Sequence, residues 1–116
     1  MRLTNNPSTS EMTLGGYDSS HFSGNLSYHN LISQTYWTIN LSGFAVGSTY
    51  NAVDGKAIID SGTSFIVGNT AWVNQLTSGI KVNSNCNNIK SLPNISFFLD
   101  HIEYVLTPND YIIKFS

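Results

Sequence analysis

The run Tyr36-Trp37-Thr38-Ile39-Asn40-Leu41-Ser42 alternates apolar and polar side chains, and only extended backbone puts such a pattern on two faces. Trp37, Ile39 and Leu41 fall on one side, Thr38, Asn40 and Ser42 on the other, as in a strand with one wet face. Gly43 interrupts the alternation, and Phe44 and Val46 resume it in the opposite phase, which predicts a bulge or bend there. Met12 and Leu14 mark a strand broken by Gly15-Gly16, and Phe22, Leu26 and Tyr28 mark another. Ala57-Ile58-Ile59 is continuous, the pattern of a strand buried on both faces.

One helix is expected, capped by Asn69 or Thr70, with Trp72, Leu76 and Ile80 on one face and Gly79 closing it. Beyond it, Asn94–Asp100 and Ile102–Thr107 form two strands around an Asp100-His101 connection. Pro108-Asn109-Asp110 makes a turn into a last strand at Tyr111–Phe115. Trp37 and Trp72 are assigned to the core. The fold class is all-β, antiparallel sheets with one short helix.

A chain of 116 residues is one domain or part of one. With 41% hydrophobic and 10% charged residues it lies outside the disordered class. A net charge of −2 supplies no footprint for nucleic acid and no polybasic patch for a membrane, and no apolar run is long enough to span a bilayer. Abundant Ser, Thr and Asn with few Lys and Arg suit a secreted or lysosomal/vacuolar protein. Residues 1–10 lack the apolar core of a signal peptide, so a signal is expected upstream. Asn25, Asn40 and Asn94 stand in glycosylation sequons, whereas Asn6 precedes Pro7. The lone Cys86 is either a small buried hydrophobe or one half of a disulfide. His21, His29 and His101 have no metal-like spacing with one another or with Cys86, and are assigned to the surface or to strands; no metal ligand is expected.

The stretch Gly55–Gly68 carries the chemistry. A strand carries Asp60 into the core, to a tight turn that Gly62 permits, where backbone N–H groups and the hydroxyls of Ser61, Thr63 and Ser64 can hold the carboxylate rigid. That suits a general acid or base whose pKa a neighbour tunes. Two carboxylates sharing one proton achieve such tuning; one Asp alone does not. Taken bare, Asp60-Ser61-Gly62-Thr63 reads first as a plain turn after a strand.

The flanks extend the pattern. Gly15–Tyr28, Tyr36–Leu41, Lys56–Gly68, Cys86–Leu99 and Tyr104–Ile113 resemble, in order and spacing, the C-terminal lobe of the pepsin-like aspartic proteases. The resemblance covers the chain from about Met12 onward, so residues 1–11 are expected to be a tail or the start of a first strand and 12–116 a partial C-terminal lobe. It implies an aspartic-type endopeptidase acting on protein or peptide substrates, without metal or organic cofactor. Asp60 becomes one of the two catalytic carboxylates. Ser61 stands where the family has Thr or Ser, and Gly62 and Thr63 match positions that contact the substrate backbone and buttress the carboxylate.

The departures limit this reading. No second Asp lies in an Asp-Thr/Ser-Gly setting: Asp18 is followed by Ser19, but Ser20 replaces the Gly. The family's apolar-apolar-Gly segment behind the Asp loop is not found, and Ile66-Val67-Gly68 lies too close to Asp60 to serve. The resemblance pairs Cys86 with a cysteine outside this chain, and Gly47–Gly55 occupies the place of a small disulfide loop without its cysteines. The expected partner is therefore an N-terminal lobe of the same protease, and the chain alone is expected to be inactive. Two rivals are a homodimeric protease of retroviral type, which would build the dyad by twofold symmetry, and a non-catalytic pepsin-fold binding protein or inhibitor.

Overall fold

The computed structural model describes residues 1–115. Four antiparallel strands make one sheet: β1 (Thr38–Val46), β2 (Thr49–Ile58), β3 (Ile95–Leu99) and β4 (Ile102–Leu106), in the order β2-β1-β3-β4. Helix α1 (Thr70–Ser78) packs on one face, and a short helix α2 (Pro108–Tyr111) follows β4.

The phase change at Gly43 is structural. Leu41 opposes Leu99 and Gly43 opposes Phe98, so Ser42 is an extra residue against β3. Its hydroxyl donates to the Phe98 carbonyl and accepts from the His101 N–H, both at 3.0 Å, which satisfies a group the ladder leaves out. Past the bulge, Phe44 (1% exposed), Leu76 and Ile95 form the buried cluster. Val46, Val53, Trp72, Ile80, Phe97, Leu106 and Tyr111 pack around it. The other face carries Tyr50 edge-on to Phe98, ring centroids 4.9 Å apart.

β1 has no wet face, contrary to the alternation. It is flanked by β2 and β3, and Thr38, Ser42 and Ala45 are buried along with Ile39, Leu41 and Phe44. Conversely, Ala57-Ile58-Ile59 is not buried on both faces: β2 is an edge strand, and Ile58 and Ile59 are each 54% exposed. Trp37 is not core either; it precedes the first strand residue and is 70% exposed. Only Trp72 joins the core, half-buried.

α1 follows the sequence reading. The Asn69 side chain accepts from the Trp72 N–H at 2.9 Å, and Gly79 is the C-cap. The β3–β4 hairpin does likewise, turning on Asp100 and His101 with φ of +49° and +65°, the pair of positive values a type I′ turn needs. Residues 12–18 and 22–30 form no strands, because none of the four strands pairs with them. Near the start, the Arg2–Glu11 bridge is isolated. Gly47–Gly55 is not a loop but the Gly47-Ser48 hairpin turn and most of β2. Pro108–Tyr111 is helical rather than a turn into a strand, since Thr107 and Asp110 form a capping box over Pro108. Residues 112–115 carry no strand, and Ser116 lies outside the described residues.

Gly55 is a close-approach site. A Cβ there would meet Trp72 Cη2 at 2.7 Å. Because Trp72 is wedged between α1 and the sheet, Gly55→Ala is expected to lower stability by about 1–3 kcal/mol, read from the urea midpoint.

Candidate active site

Asp60 stands just past the end of β2. The Ile59 N–H donates to the Trp37 carbonyl at 2.9 Å, carrying the ladder one step beyond Ile58, and the chain then turns. The Gly62 N–H donates to Asp60 Oδ1 at 2.8 Å and the Thr63 hydroxyl donates to Oδ2. The Asp60 carbonyl accepts weakly from the Thr63 N–H at 3.5 Å. Among the described residues Ser61 and Ser64 make no hydrogen bond to the carboxylate, so the loop holds it with fewer groups than the sequence offered. A Cβ at position 62 would come within 3.2 Å of Oδ1, so glycine keeps the carboxylate seated over its own loop.

The strand does not take Asp60 into the core, as the sequence reading had it; the residue is exposed. The Thr63 hydroxyl, and after it the Gly62 N–H, hold its carboxyl below the usual 3.8, the small desolvation opposing them. Both donors favour the ionised form. Thr63→Val is therefore expected to raise the Asp60 pKa, followed by carbon-13 titration of the carboxyl, with the fold intact because Thr63 is exposed.

Two cavities meet at Asp60. One, of about 630 Å³, is walled by Leu31, Gln34–Trp37, Ile58 and Ile59. The other, of about 760 Å³, runs under the loop after Asp60 and is walled by Thr63, Phe65, Trp72, Phe97, Tyr104 and Leu106 among others. The sequence pattern alone did not bring these segments together. An exposed ionisable group with fixed donors can exchange a proton with a water or ligand beside it.

The remaining candidates lie elsewhere. Cys86 is a free thiol, half-buried, at φ +56° in an asparagine-rich turn. Asn25 and Asn94 are exposed, while Asn40 is half-buried in β1. The hydroxyl of Ser96, third residue of the Asn94 sequon, is buried and donates to Glu103 at 2.7 Å. His21 Nε2 lies 3.7 Å from Asp18 and 4.0 Å from Glu11, carboxylates that the histidine spacing did not consider. His29 is neither surface nor strand; its side chain is 12% exposed and bonded to Asp100 and Tyr104.

The antiparallel sheet and its Asp-Ser-Gly-Thr loop define an aspartic-protease type of domain. The family model for eukaryotic aspartyl proteases matches residues 1–116, and the chain belongs to that family. Among similar proteins, cathepsin E of Mus musculus is 38% identical over 115 residues, covering 91% of this chain and 29% of its own length. Cathepsin D of Bos taurus is 36% identical over 116 residues, covering 91% and 30%, and cathepsin D of Chionodraco hamatus 37% over 125 residues, covering 97% and 32%. The chain thus spans about three-tenths of the length of these curated relatives.

Proposed function

We propose that Asp60 is one of the two catalytic carboxylates of an aspartic endopeptidase, with residues 12–116 contributing C-terminal-lobe structure and the second carboxylate coming from an Asp-Thr/Ser-Gly loop outside these residues. The observation that carries this reading is the seat of Asp60: an exposed carboxylate at the junction of two clefts, held by Gly62 and Thr63 of its own loop. One carboxylate of the pair takes a proton from a water as that water attacks the peptide carbonyl. The other, protonated, hydrogen-bonds the carbonyl oxygen and then supplies a proton to the leaving amine. The two carboxylates titrate as one pair, within which the donors to Asp60 favour its ionised form. Gly62 and Thr63 face the substrate backbone, and Ser61 joins the two catalytic loops. The substrates are peptides and proteins in extended conformation. The weakly charged surface and the exposed Asn25 sequon support a secretory or lysosomal setting.

The test is a graft in which this chain replaces its matching segment in mouse cathepsin E. The graft is expected to cleave protein at acid pH and to lose that activity with Asp60→Asn, while the chain by itself is inactive. A folded graft without activity would overturn the assignment. Activity of the chain alone that Asp60→Asn removes would overturn the need for a carboxylate from elsewhere.

A further inference from the structure

Asn25, Asn40 and Asn94 share the pattern that N-glycosylation reads, and the fold treats the three differently. Transfer needs two groups at once: the Asn amide, which becomes the sugar linkage, and the hydroxyl two residues on, which the transferase must engage. For Asn40 that hydroxyl belongs to Ser42, the extra residue of the β1 bulge, buried and bonded to the Phe98 carbonyl and the His101 N–H. Asn40 itself lies in the central strand opposite Lys56, and its carbonyl accepts from the Asp100 N–H at 3.1 Å. For Asn94 the hydroxyl is that of Ser96, buried in β3 and donating to Glu103, while the Asn94 carbonyl accepts from the Gly47 N–H at 2.8 Å. Formation of the sheet thus withdraws the hydroxyl from both sequons.

The Asn25 sequon stays open. Asn25, Leu26 and Ser27 are all exposed, and among the described residues no hydrogen bond, of backbone or side chain, involves residues 23–28. Gly24, just before the asparagine, has φ +79° and empty space where a side chain would stand, so nothing crowds this part of the chain. A segment with no bonds to break presents its amide and hydroxyl together at little cost, before or after the sheet has formed. The transferase competes with folding, and closure of the sheet ends its access at Asn40 and Asn94 but not at Asn25. We propose that Asn25 carries an N-linked glycan, and that it is the sequon of the three that the fold leaves to the transferase. The Asn25 side-chain nitrogen attacks the anomeric carbon of a lipid-linked oligosaccharide diphosphate. A C–N bond forms, the C–O bond to the diphosphate breaks with its electron pair leaving on the lipid diphosphate, and the amide gives up one proton. The inference rests on the secretory setting proposed above and not on Asp60. It sets a bulky hydrophilic group beside Leu26 and Tyr28, both exposed.

The full chain, translated behind an added secretion signal into microsomal membranes, tests this. Chain inside the lumen is identified by its resistance to added protease, and a peptide N-glycosidase in heavy-oxygen water marks each sugar-bearing Asn by mass. A glycan is expected at Asn25, lost in Asn25→Gln and in Ser27→Ala, and kept in Ser27→Thr, Asn40→Gln and Asn94→Gln. Asn25 and Ser27 are exposed and unbonded, so their variants leave the fold alone. Lumenal chain with a bare Asn25 would overturn the site. Equal occupancy of all three sequons would overturn the selection by the sheet. Because the signal is supplied, neither result depends on where the protein travels in its own cells: a sugar on Asn25 in microsomes and none on protein from those cells sinks the secretory setting alone.

Discussion

Acid proteolysis by the cathepsin graft is expected to fall about 10³-fold when Asp60 becomes Asn, the scale of removing a positioned general base. Asn is nearly isosteric with Asp. Its carbonyl oxygen still accepts from the Gly62 N–H, and the Thr63 hydroxyl can rotate to accept from the new NH2 group. What disappears is the ability to take a proton from water. At neutral pH the variant loses only what the carboxylate's charge adds to these two bonds, and the main loss falls on turnover. The acid limb of stability separates the two effects. The folded carboxyl of Asp60 is held below its ordinary 3.8, so its bonds stabilise the fold fully above that value and are lost as pH falls through the lower folded one. Asp60→Asn lacks this contribution at every pH, so parent and variant should converge at the acid end of a denaturation series. A graft whose activity survives Asp60→Asn within tenfold would place the proton transfer on another group.

Phe44→Ala is expected to destabilise the chain by about 3–5 kcal/mol, the range for truncating a buried aromatic ring. Phe44 is the largest fully buried side chain, touches Leu76 and Ile95, and lies 6.5 Å, centroid to centroid, from Trp72. β1 cannot close the void by shifting, since β2 and β3 grip it from both sides. Against a total of roughly 5–15 kcal/mol for a domain, the loss consumes a large fraction of the stability. Urea titration followed by tryptophan emission gives the number; a change below about 1 kcal/mol would mean that the cavity collapses and that α1 is loosely held.

How far the sequence revealed this structure depended on whether a signal was local. The Asn69 cap, the Gly79 stop and the Trp72–Leu76 spacing describe one element by itself, and α1 has them in place. The bulge beside Gly43 was legible because the apolar phase reverses within a few residues. Strand pairing is not local. The Phe22–Tyr28 alternation lacks a partner and stays irregular, with Gly24 at φ +79°. Only the Ala57-Ile58 end of β2 was read as strand, because the half-buried positions before it include Asn51 and Gly55, which give no hydrophobic rhythm. Gly47-Ser48 between two runs was the available hairpin signal. Composition likewise says which residues favour burial but not which strand is central, and so Ile58 and Trp37 were misplaced. At the site, the Asp-Ser-Gly-Thr motif was readable, whereas the two cavities and the His29 bonds arise from segments far apart in sequence.

The exposed apolar residues around Asp60 also govern how the chain behaves in a test tube. Trp37, Ile58, Ile59, Phe65, Ile66 and Val67 all face solvent, and a net charge of −2 gives neighbouring molecules little electrostatic reason to stay apart. Solubility is therefore sensitive to these residues at the rim of the site. Concentrated stocks are expected to self-associate, with the exposed apolar residues around Asp60 among the contacts.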